Sequence, residues 1–212
     1  RAALQSAWRI PEAYATVEEA AAAGARLDAA FVHAATVAHA QISITLIDAG
    51  VPTFVDKPIA LSADDARMVV ERARTAGVSF AACFNRRFTP TYAEAASMPG
   101  VDTVVLTKNR VDLPDDPRIV VFDDYVHVVD TLRFLVTPEP EDVQVVARPG
   151  PDGGLARVAI TLRQGHRLGV GIMDRTSGQT IEILEAMAPE QAMVVTDLVD
   201  VVHRVDGMAQ HR

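Results

Sequence analysis

The sequence has very little cysteine and no excess of positive charge. A single cysteine, Cys83, rules out an internal disulfide, and no Cys/His spacing typical of a structural zinc site occurs. This favours a reducing, cytoplasmic location. Twenty Lys and Arg against 28 Asp and Glu give a net charge of −8. Without a basic stripe to neutralise a phosphate backbone, we expect no nucleic-acid partner.

Long apolar runs are also absent. No run approaches the roughly 18 residues that a membrane span needs, so we expect no membrane partner. The opening residues, Arg1 to Leu4, show neither an initiating methionine nor a signal-peptide architecture, and we expect the sequence to begin in mid-protein. The composition is nevertheless that of a folded chain, since 49% of the residues are apolar and 23% are charged.

Residues 1–90 alternate between helix-period segments and short β-rich runs, as βαβ units with a parallel sheet do. Helices are predicted from a Thr16 cap to Ala23, from His39 to Ala49 and from a Ser62 cap to Gly77. The predicted strands are 29–32, 52–55 and 78–84. The first part of the chain is therefore predicted to be an α/β domain.

Residues 91–212 have a different pattern. A short helix ends at Met98, a strand covers Val101–Val111, and a helix covers Phe122–Val136. Further strands are predicted at 143–147, 156–162, 167–173, 180–184 and 192–195, whereas 195–202 fits either a strand or a helix. We predict a second, α+β domain with a mostly antiparallel open sheet.

Asp56-Lys57-Pro58 follows a predicted parallel strand. Ligands of open α/β sheets bind outside the carboxyl ends of the strands, where a lysine can reach a substrate oxygen or a cofactor. An ordinary turn with a solvated lysine explains the same tripeptide. The segment Asn85 to Phe88 follows the next predicted strand and contains Arg86 and Arg87. Arginine side chains bind anionic or polyhydroxyl groups. Alternatively, these arginines pair with acidic residues in a turn between domains.

Asp123, His127 and Asp130 lie on one predicted helix. At about 100° per residue they span an arc of roughly 60°, and four apolar residues face the other way: Phe122, Val126, Val129 and Leu132. A carboxylate beside a histidine suits a general acid/base that works near neutral pH. A histidine held by a carboxylate at a domain interface is the competing interpretation. No further ligand stands at a recognisable spacing, so we expect no metal.

In this order, the motifs resemble the Gfo/Idh/MocA family of oxidoreductases. The residues that carry the resemblance are Tyr14 to Glu19, Asp28 to Val32, Ala49 to Pro52, Asp56 to Pro58, Asn85 to Phe88 and Phe122 to Asp130. The last segment matches the family's helix motif of Asp, three residues, His, two residues and Asp. Within the family the wording is most similar to the MviM-like subgroup.

The resemblance implies a Rossmann-type, doubly wound domain over 1–90, a substrate and dimerisation domain over 91–212, and hydride transfer between NAD or NADP and a sugar, polyol or related alcohol. It implies catalytic roles for Lys57, His127 and Asp123. The substrate-binding residues that we predict are Arg86, Asp130 and Tyr125, and the cofactor-binding residues are Thr36, His39, Asp56 and Lys57. It also implies a homo-oligomer, a dimer or tetramer formed through the C-terminal sheet.

The sequence departs from the family pattern in two ways. Tyr125 stands where many relatives have glycine and is expected to narrow the pocket. More important, the G-x-G-x-x-G turn that binds the pyrophosphate does not occur, so the Rossmann domain is predicted to be incomplete and to bind a dinucleotide poorly on its own. Two alternatives stay open: a non-catalytic association protein and an NAD-dependent glycosidase.

Overall fold

The computed structural model describes residues 2–22, 27–150 and 152–211. The chain divides into two compact units, Arg1–Cys83 and Phe84–Arg212. Within the described residues, no helix is long and apolar enough to cross a membrane.

The first unit is built on a three-stranded parallel sheet. Its strands, β1 (Ala30–Val32), β2 (Thr53–Asp56) and β3 (Phe80–Cys83), lie in the order β1-β2-β3. The helices are α1 (Ala2–Trp8), α2 (Val17–Ala22), α3 (His39–Asp48) and α4 (Ala63–Ala76). The end that we predicted for α2, at Ala23, lies outside the described residues. The other two predicted helices and all three strands are present to within about two residues, the usual uncertainty of an element boundary.

Helix α4 begins and ends as its sequence predicts. The Ser62 hydroxyl accepts a hydrogen bond from the Asp65 backbone N–H at 3.1 Å, which satisfies one of the unpaired donors of the first turn. Gly77 ends the helix with φ 67°, a left-handed conformation that glycine adopts without steric cost. The core of this unit consists of two clusters: Val55 of β2 packs with Leu46 of α3, and Val69 of α4 packs with Ile47 of α3.

The second unit is built on an eight-stranded sheet. Its strands are β4 (Thr103–Asn109), β5 (Asp142–Pro149), β6 (Leu155–Gln164), β7 (Arg167–Asp174), β8 (Ile181–Ala188), β9 (Gln191–Thr196), β10 (Asp200–Val205) and β11 (Met208–His211). They lie in the order β11-β10-β9-β8-β4-β7-β6-β5. The β4–β7 pair is parallel and all other pairs are antiparallel. Together the two sheets confirm the predicted fold class.

The described part of this unit has five helical segments: a 3-10 helix (Asn85–Phe88), α5 (Pro90–Ser97), α6 (Pro117–Ile119), a π-helical segment (Val120–Tyr125) and α7 (Val126–Leu135). Helix α7 packs on one face of the sheet. There the core is formed by Leu106, Met173, Leu184 and Met193 together with Val128 and Leu132 of the helix. The residues that alternate with these along the strands point to the opposite face and are half-buried, apart from the exposed Glu185, as expected for a sheet with one covered side.

Two predictions about this unit needed resolving. The segment 195–202, which fitted either a strand or a helix, forms the end of β9, a tight turn and the start of β10. The predicted helix Phe122–Val136 begins earlier and is not uniformly α-helical. Asp116 caps it through its carboxylate, which accepts from the backbone N–H groups of Arg118 and Ile119, and Pro117 occupies the first helical position, where no N–H is needed.

Candidate functional site

The carboxyl end of the parallel sheet in the first unit holds the Asp56-Lys57-Pro58 segment. Asp56 is the last residue of β2, opposite Cys83 at the end of β3, and Lys57 follows at once. The Lys57 backbone N–H donates to the Asp56 carboxylate at 2.8 Å, and the Lys57–Pro58 peptide bond is cis. Lys57 is therefore at the sheet edge where ligands of open α/β folds bind.

His39 connects the loops that follow β1 and β2. Its ring is only 2% exposed, with Nδ1 2.7 Å from the Pro58 carbonyl oxygen and Nε2 3.0 Å from the Ala34 carbonyl oxygen. The ring thus supports the backbone beside Lys57. A direct contact of His39 or of the half-buried Thr36 with a cofactor stays a prediction.

The helix motif of the second unit spans two kinds of helix. Asp123 lies in the π-helical segment and His127 lies in the first turn of α7. A π-helical turn contains one more residue than an α-helical turn, so the 100° rule fails across this junction. Tyr125, the last residue of the π-helical segment, and Val128 and Leu132 of α7 are buried in the core. Of the predicted apolar face, Leu132 is therefore buried and the half-buried Val129 packs against the core, whereas Phe122 and Val126 are only half-buried.

His127 is 8% exposed and Asp123 is exposed. The Thr131 hydroxyl donates to the His127 carbonyl oxygen at 2.7 Å, which ties together the first turn of α7. Asp130 is held by Arg87 in a bidentate pair, with Nε to Oδ2 at 2.9 Å and an Nη to Oδ1 at 2.6 Å. Asp130 thus fixes the helix to the segment after Phe84, and a substrate contact for it stays a prediction.

Arg86 and Tyr125 are both largely buried within the second unit. The Arg86 guanidinium donates two hydrogen bonds to Glu182, each 2.8 Å long, and the two side chains are 11% and 8% exposed. This corresponds to the alternative in which the arginines pair with acidic residues. Tyr125 is 2% exposed and its hydroxyl donates to the Gly171 carbonyl oxygen at 2.9 Å, so it packs in the core. Its role at the substrate pocket stays a prediction.

Four charged residues that the sequence analysis did not single out surround the end of β4. Lys108 Nζ lies 2.5 Å from Asp124 Oδ1, an Arg175 Nη lies 2.8 Å from Asp124 Oδ2, and an Arg110 Nη lies 3.6 Å from Oδ1. A signal for Lys108 was available: in a strand whose alternate residues Val104 and Leu106 face the core, position 108 faces it as well.

The electrostatics of this cluster follow from burial and pairing. Burial raises the pKa of the Asp124 carboxyl, but the Lys108, Arg110 and Arg175 charges outweigh it and hold that pKa below its usual range. For Lys108, burial and the Arg86 charge lower the pKa of the ammonium in spite of Asp124. Among the described residues, no group of three or more His, Cys, Asp and Glu side chains is arranged to hold a metal ion.

Two protein-family models match the chain. One, described as the GFO/IDH/MocA oxidoreductase family with an NAD-binding Rossmann fold, matches residues 1–84. The other, described as a YceM-like C-terminal domain, matches residues 90–206.

Individual proteins are similar over most of the chain. YceM of Salmonella typhimurium, whose name gives an oxidoreductase and no substrate, is 38% identical over 135 residues, which are 62% of this chain and 43% of YceM. The myo-inositol dehydrogenase Hyg17 of Streptomyces leeuwenhoekii is 34% identical over 144 residues, 63% of this chain and 43% of that protein. The chain thus spans under half the length of these relatives.

A solved structure extends the similarity to the whole chain. The crystal structure of a Gfo/Idh/MocA family oxidoreductase from Vibrio cholerae superposes with a TM-score of 0.90 at 26% identity. The superposition covers 100% of this chain and 69% of the Vibrio protein.

Proposed function

The chain belongs to the Gfo/Idh/MocA family of oxidoreductases and has a C-terminal domain of the YceM-like type, and from this we propose that the intact protein is a nicotinamide-dependent dehydrogenase of a sugar or polyol. The observation that carries the proposal is the position of Lys57, at the carboxyl end of a parallel strand in the part that matches an NAD-binding fold. The similarity to a myo-inositol dehydrogenase supports the substrate class.

In this proposal the first unit holds the cofactor. Its parallel strands end at one edge, where Thr36, Asp56 and Lys57 are half-buried and His39 supports the backbone between them. These residues fit the nicotinamide side of a dinucleotide. The 212 residues do not contain the glycine-rich turn for the pyrophosphate, so binding of the whole dinucleotide is a property that we assign to the intact protein. Titration of the intact protein with each cofactor is expected to show whether it binds NAD or NADP.

The chemistry that we assign to the side chains is a proton transfer beside a hydride transfer. His127 accepts the hydroxyl proton as the substrate carbon loses its hydride and the carbonyl forms, and Asp123 orients the substrate. The Lys57 ammonium donates a hydrogen bond to the reacting oxygen and stabilises the negative charge that develops there. The nicotinamide supplies the hydride acceptor. In the reverse direction, His127 returns the proton to the carbonyl oxygen.

We also propose that two copies associate through the half-buried face of the eight-stranded sheet. Val105, Val170, Ile172, Ile183 and Val194 alternate with the core residues of β4, β7, β8 and β9 and therefore lie on the face opposite α7. These side chains form an apolar surface that is interrupted by Glu185, which pairs with both Val105 and Val194. Apolar surface of this kind is typical of an interface.

The test uses the full-length protein. Titration with NADH and NADPH by fluorescence is expected to show binding of one of them, and oxidation of polyols such as myo-inositol is then followed by absorbance. His127→Asn is expected to lower kcat by about 10²- to 10⁴-fold, because a general acid/base contributes that much. His166→Asn, in the exposed turn between β6 and β7, is the matched control and is expected to retain activity. Absence of cofactor binding at millimolar concentrations would refute the proposal, and tightly held cofactor without net turnover would indicate a glycosidase.

A further inference from the structure

The cluster around Asp124 has an unusual balance of charge. Three cations, Lys108, Arg110 and Arg175, lie within 3.6 Å of the two oxygens of one carboxylate. The other ion pair nearby does not correct the balance, because Arg86 and Glu182 neutralise each other in a bidentate contact. The site therefore has more positive than negative charge.

The excess charge is mostly removed from water. The side chains of Lys108 and Arg175 are 2% and 6% exposed, whereas those of Asp124 and Arg110 are 23% and 25% exposed. Buried cations are costly unless anionic or hydrogen-bonding partners surround them. Arg110 and Asp124 are the more exposed members of the cluster, so a further anion from solvent would meet Arg110 first.

Strand topology explains how the cations come together. Lys108 and Arg110 are at and just beyond the carboxyl end of β4, and Arg175 follows the carboxyl end of β7, which pairs with β4 in parallel. The Arg110 backbone N–H donates to the Asp174 carbonyl oxygen at 2.8 Å and keeps the two strand ends adjacent. Lys108 is therefore held by a strand, and Arg110 and Arg175 are the first residues after two adjacent strand ends.

The cluster adjoins the residue to which we assign the proton transfer. Asp124 precedes His127 by three residues, in the π-helical segment that continues directly into α7. A substrate whose hydroxyl reaches His127 therefore has its neighbouring substituents near Asp124 and the cations around it.

We propose that this cluster recognises an anionic group of the substrate, a carboxylate or a phosphate, so that the enzyme acts on an acidic sugar or polyol derivative in preference to a neutral one. The proposal rests on the proposed dehydrogenase function and refines its substrate. Arginine guanidinium groups bind planar and tetrahedral oxyanions through paired donors, and the lysine adds a point charge.

Matched substrates test the proposal in the full-length protein. D-glucose is compared with D-glucuronate and D-glucose 6-phosphate, and myo-inositol is compared with its 1-phosphate. We expect kcat/KM to be at least tenfold higher for an anionic member than for its neutral partner. The carboxylate and phosphate arms separate the two sources of charge. Equal kcat/KM for neutral and anionic members would overturn the proposal while leaving the dehydrogenase function intact.

A variant locates the effect. Arg110→Gln, at the solvent side of the cluster, is expected to raise KM for the anionic substrate by about 10- to 100-fold, since a hydrogen bond to a charged group contributes that much to binding. KM for the neutral partner and the Kd of the cofactor are expected to stay unchanged. Arg163→Gln, an exposed arginine on β6, is the matched control. A KM increase that is equal for neutral and anionic substrates would contradict anion recognition.

A second measurement does not depend on turnover. Inorganic phosphate, compared with NaCl at equal ionic strength, is expected to raise Tm of the wild-type protein by several degrees and to raise Tm of the Arg110→Gln variant much less, because only the native state contains the site. If no cofactor binds but this difference is present, the dehydrogenase function fails and the anion site stands. If phosphate stabilises neither protein, or both equally, the anion site is refuted.

Discussion

At the scale of single residues, Glu182 of β8 binds two side chains that are about 90 residues away in the sequence, Arg86 and Tyr92. Its carboxylate accepts two hydrogen bonds from Arg86 and one of 3.0 Å from the Tyr92 hydroxyl. Burial raises the pKa of this carboxyl, but the Arg86 contacts outweigh it and hold the pKa below its ordinary value of 4.5. Arg86, which we predicted to bind substrate, therefore forms a buried ion pair with Glu182.

The Glu182 pair predicts a dependence of stability on pH. A carboxyl whose pKa is lowered by folding contributes stability that is complete above its unfolded value and is lost as the pH falls through the folded value. The wild-type protein is therefore expected to lose stability below pH 4.5. Glu182→Gln is expected to cost about 3 kcal/mol at pH 7, because Arg86 stays buried without its charge partner, and to flatten the acid limb.

Urea unfolding between pH 3 and pH 7 measures both effects. Glu190→Gln, in the exposed turn between β8 and β9, is the control and is expected to follow the wild-type curve. An acid limb in Glu182→Gln as steep as in the wild-type protein would show that other carboxyls are responsible.

At the scale of elements, the approach of α7 to β7 decides where the helix motif lies. An ideal Cβ on Gly171 would overlap Val128 Cγ1 and would lie 3.1 Å from Ile160 Cγ2 and 3.2 Å from Leu132 Cδ1. Because position 171 has no side chain, the helix packs directly on the sheet at this point. The Gly171 carbonyl oxygen accepts a hydrogen bond from the Tyr125 hydroxyl.

Gly171→Ala is expected to lower the free energy of unfolding by about 1–3 kcal/mol, because an added methyl group in a packed core forces neighbouring side chains or the helix to move. Gly178→Ala is the matched control: nothing lies within 4 Å of a Cβ there, and a change within about 0.5 kcal/mol is expected. Equal midpoints in urea for the two variants would contradict the close packing of α7 on β7.

At the scale of the whole molecule, the face of the eight-stranded sheet opposite α7 is only half-buried in a single copy of the chain. Val105 and Val170 lie side by side on it in the parallel β4–β7 pair, and Thr107 and Ile172 form the next row. Contact between apolar surface and water is unfavourable. Burying such surface on association lowers the free energy by roughly 25 cal/mol for each Å² of apolar area.

Val170→Glu is expected to convert a dimeric or tetrameric protein into a smaller species, since a carboxylate placed within an apolar interface keeps its cost of desolvation without a partner. Sedimentation velocity measures the change. Val199→Glu, at an exposed turn between β9 and β10, is the control and is expected to keep the wild-type mass. Unchanged association of Val170→Glu would place the interface elsewhere.

The sequence by itself determined most of the elements and their order. Ser62 and Gly77 bound α4 because capping and left-handed glycine are local effects, and the alternation of strands and helices predicted a parallel sheet followed by a mostly antiparallel one. The motifs of Lys57 and His127 were recognisable for the same reason, since each lies within a short segment. The family followed from their order.

The tertiary structure alone decided which charged groups meet. Lys108, Asp124 and Arg175 are far apart in the sequence, and only the parallel pairing of β4 with β7 and the π-helical segment before α7 bring them together. Arg86 and Arg87 look alike in the sequence but pair with Glu182 and Asp130, 96 and 43 residues away. Local pattern fixes secondary structure because backbone hydrogen bonds and caps join near neighbours, whereas the partner of a buried charge is set by topology, which no short segment encodes.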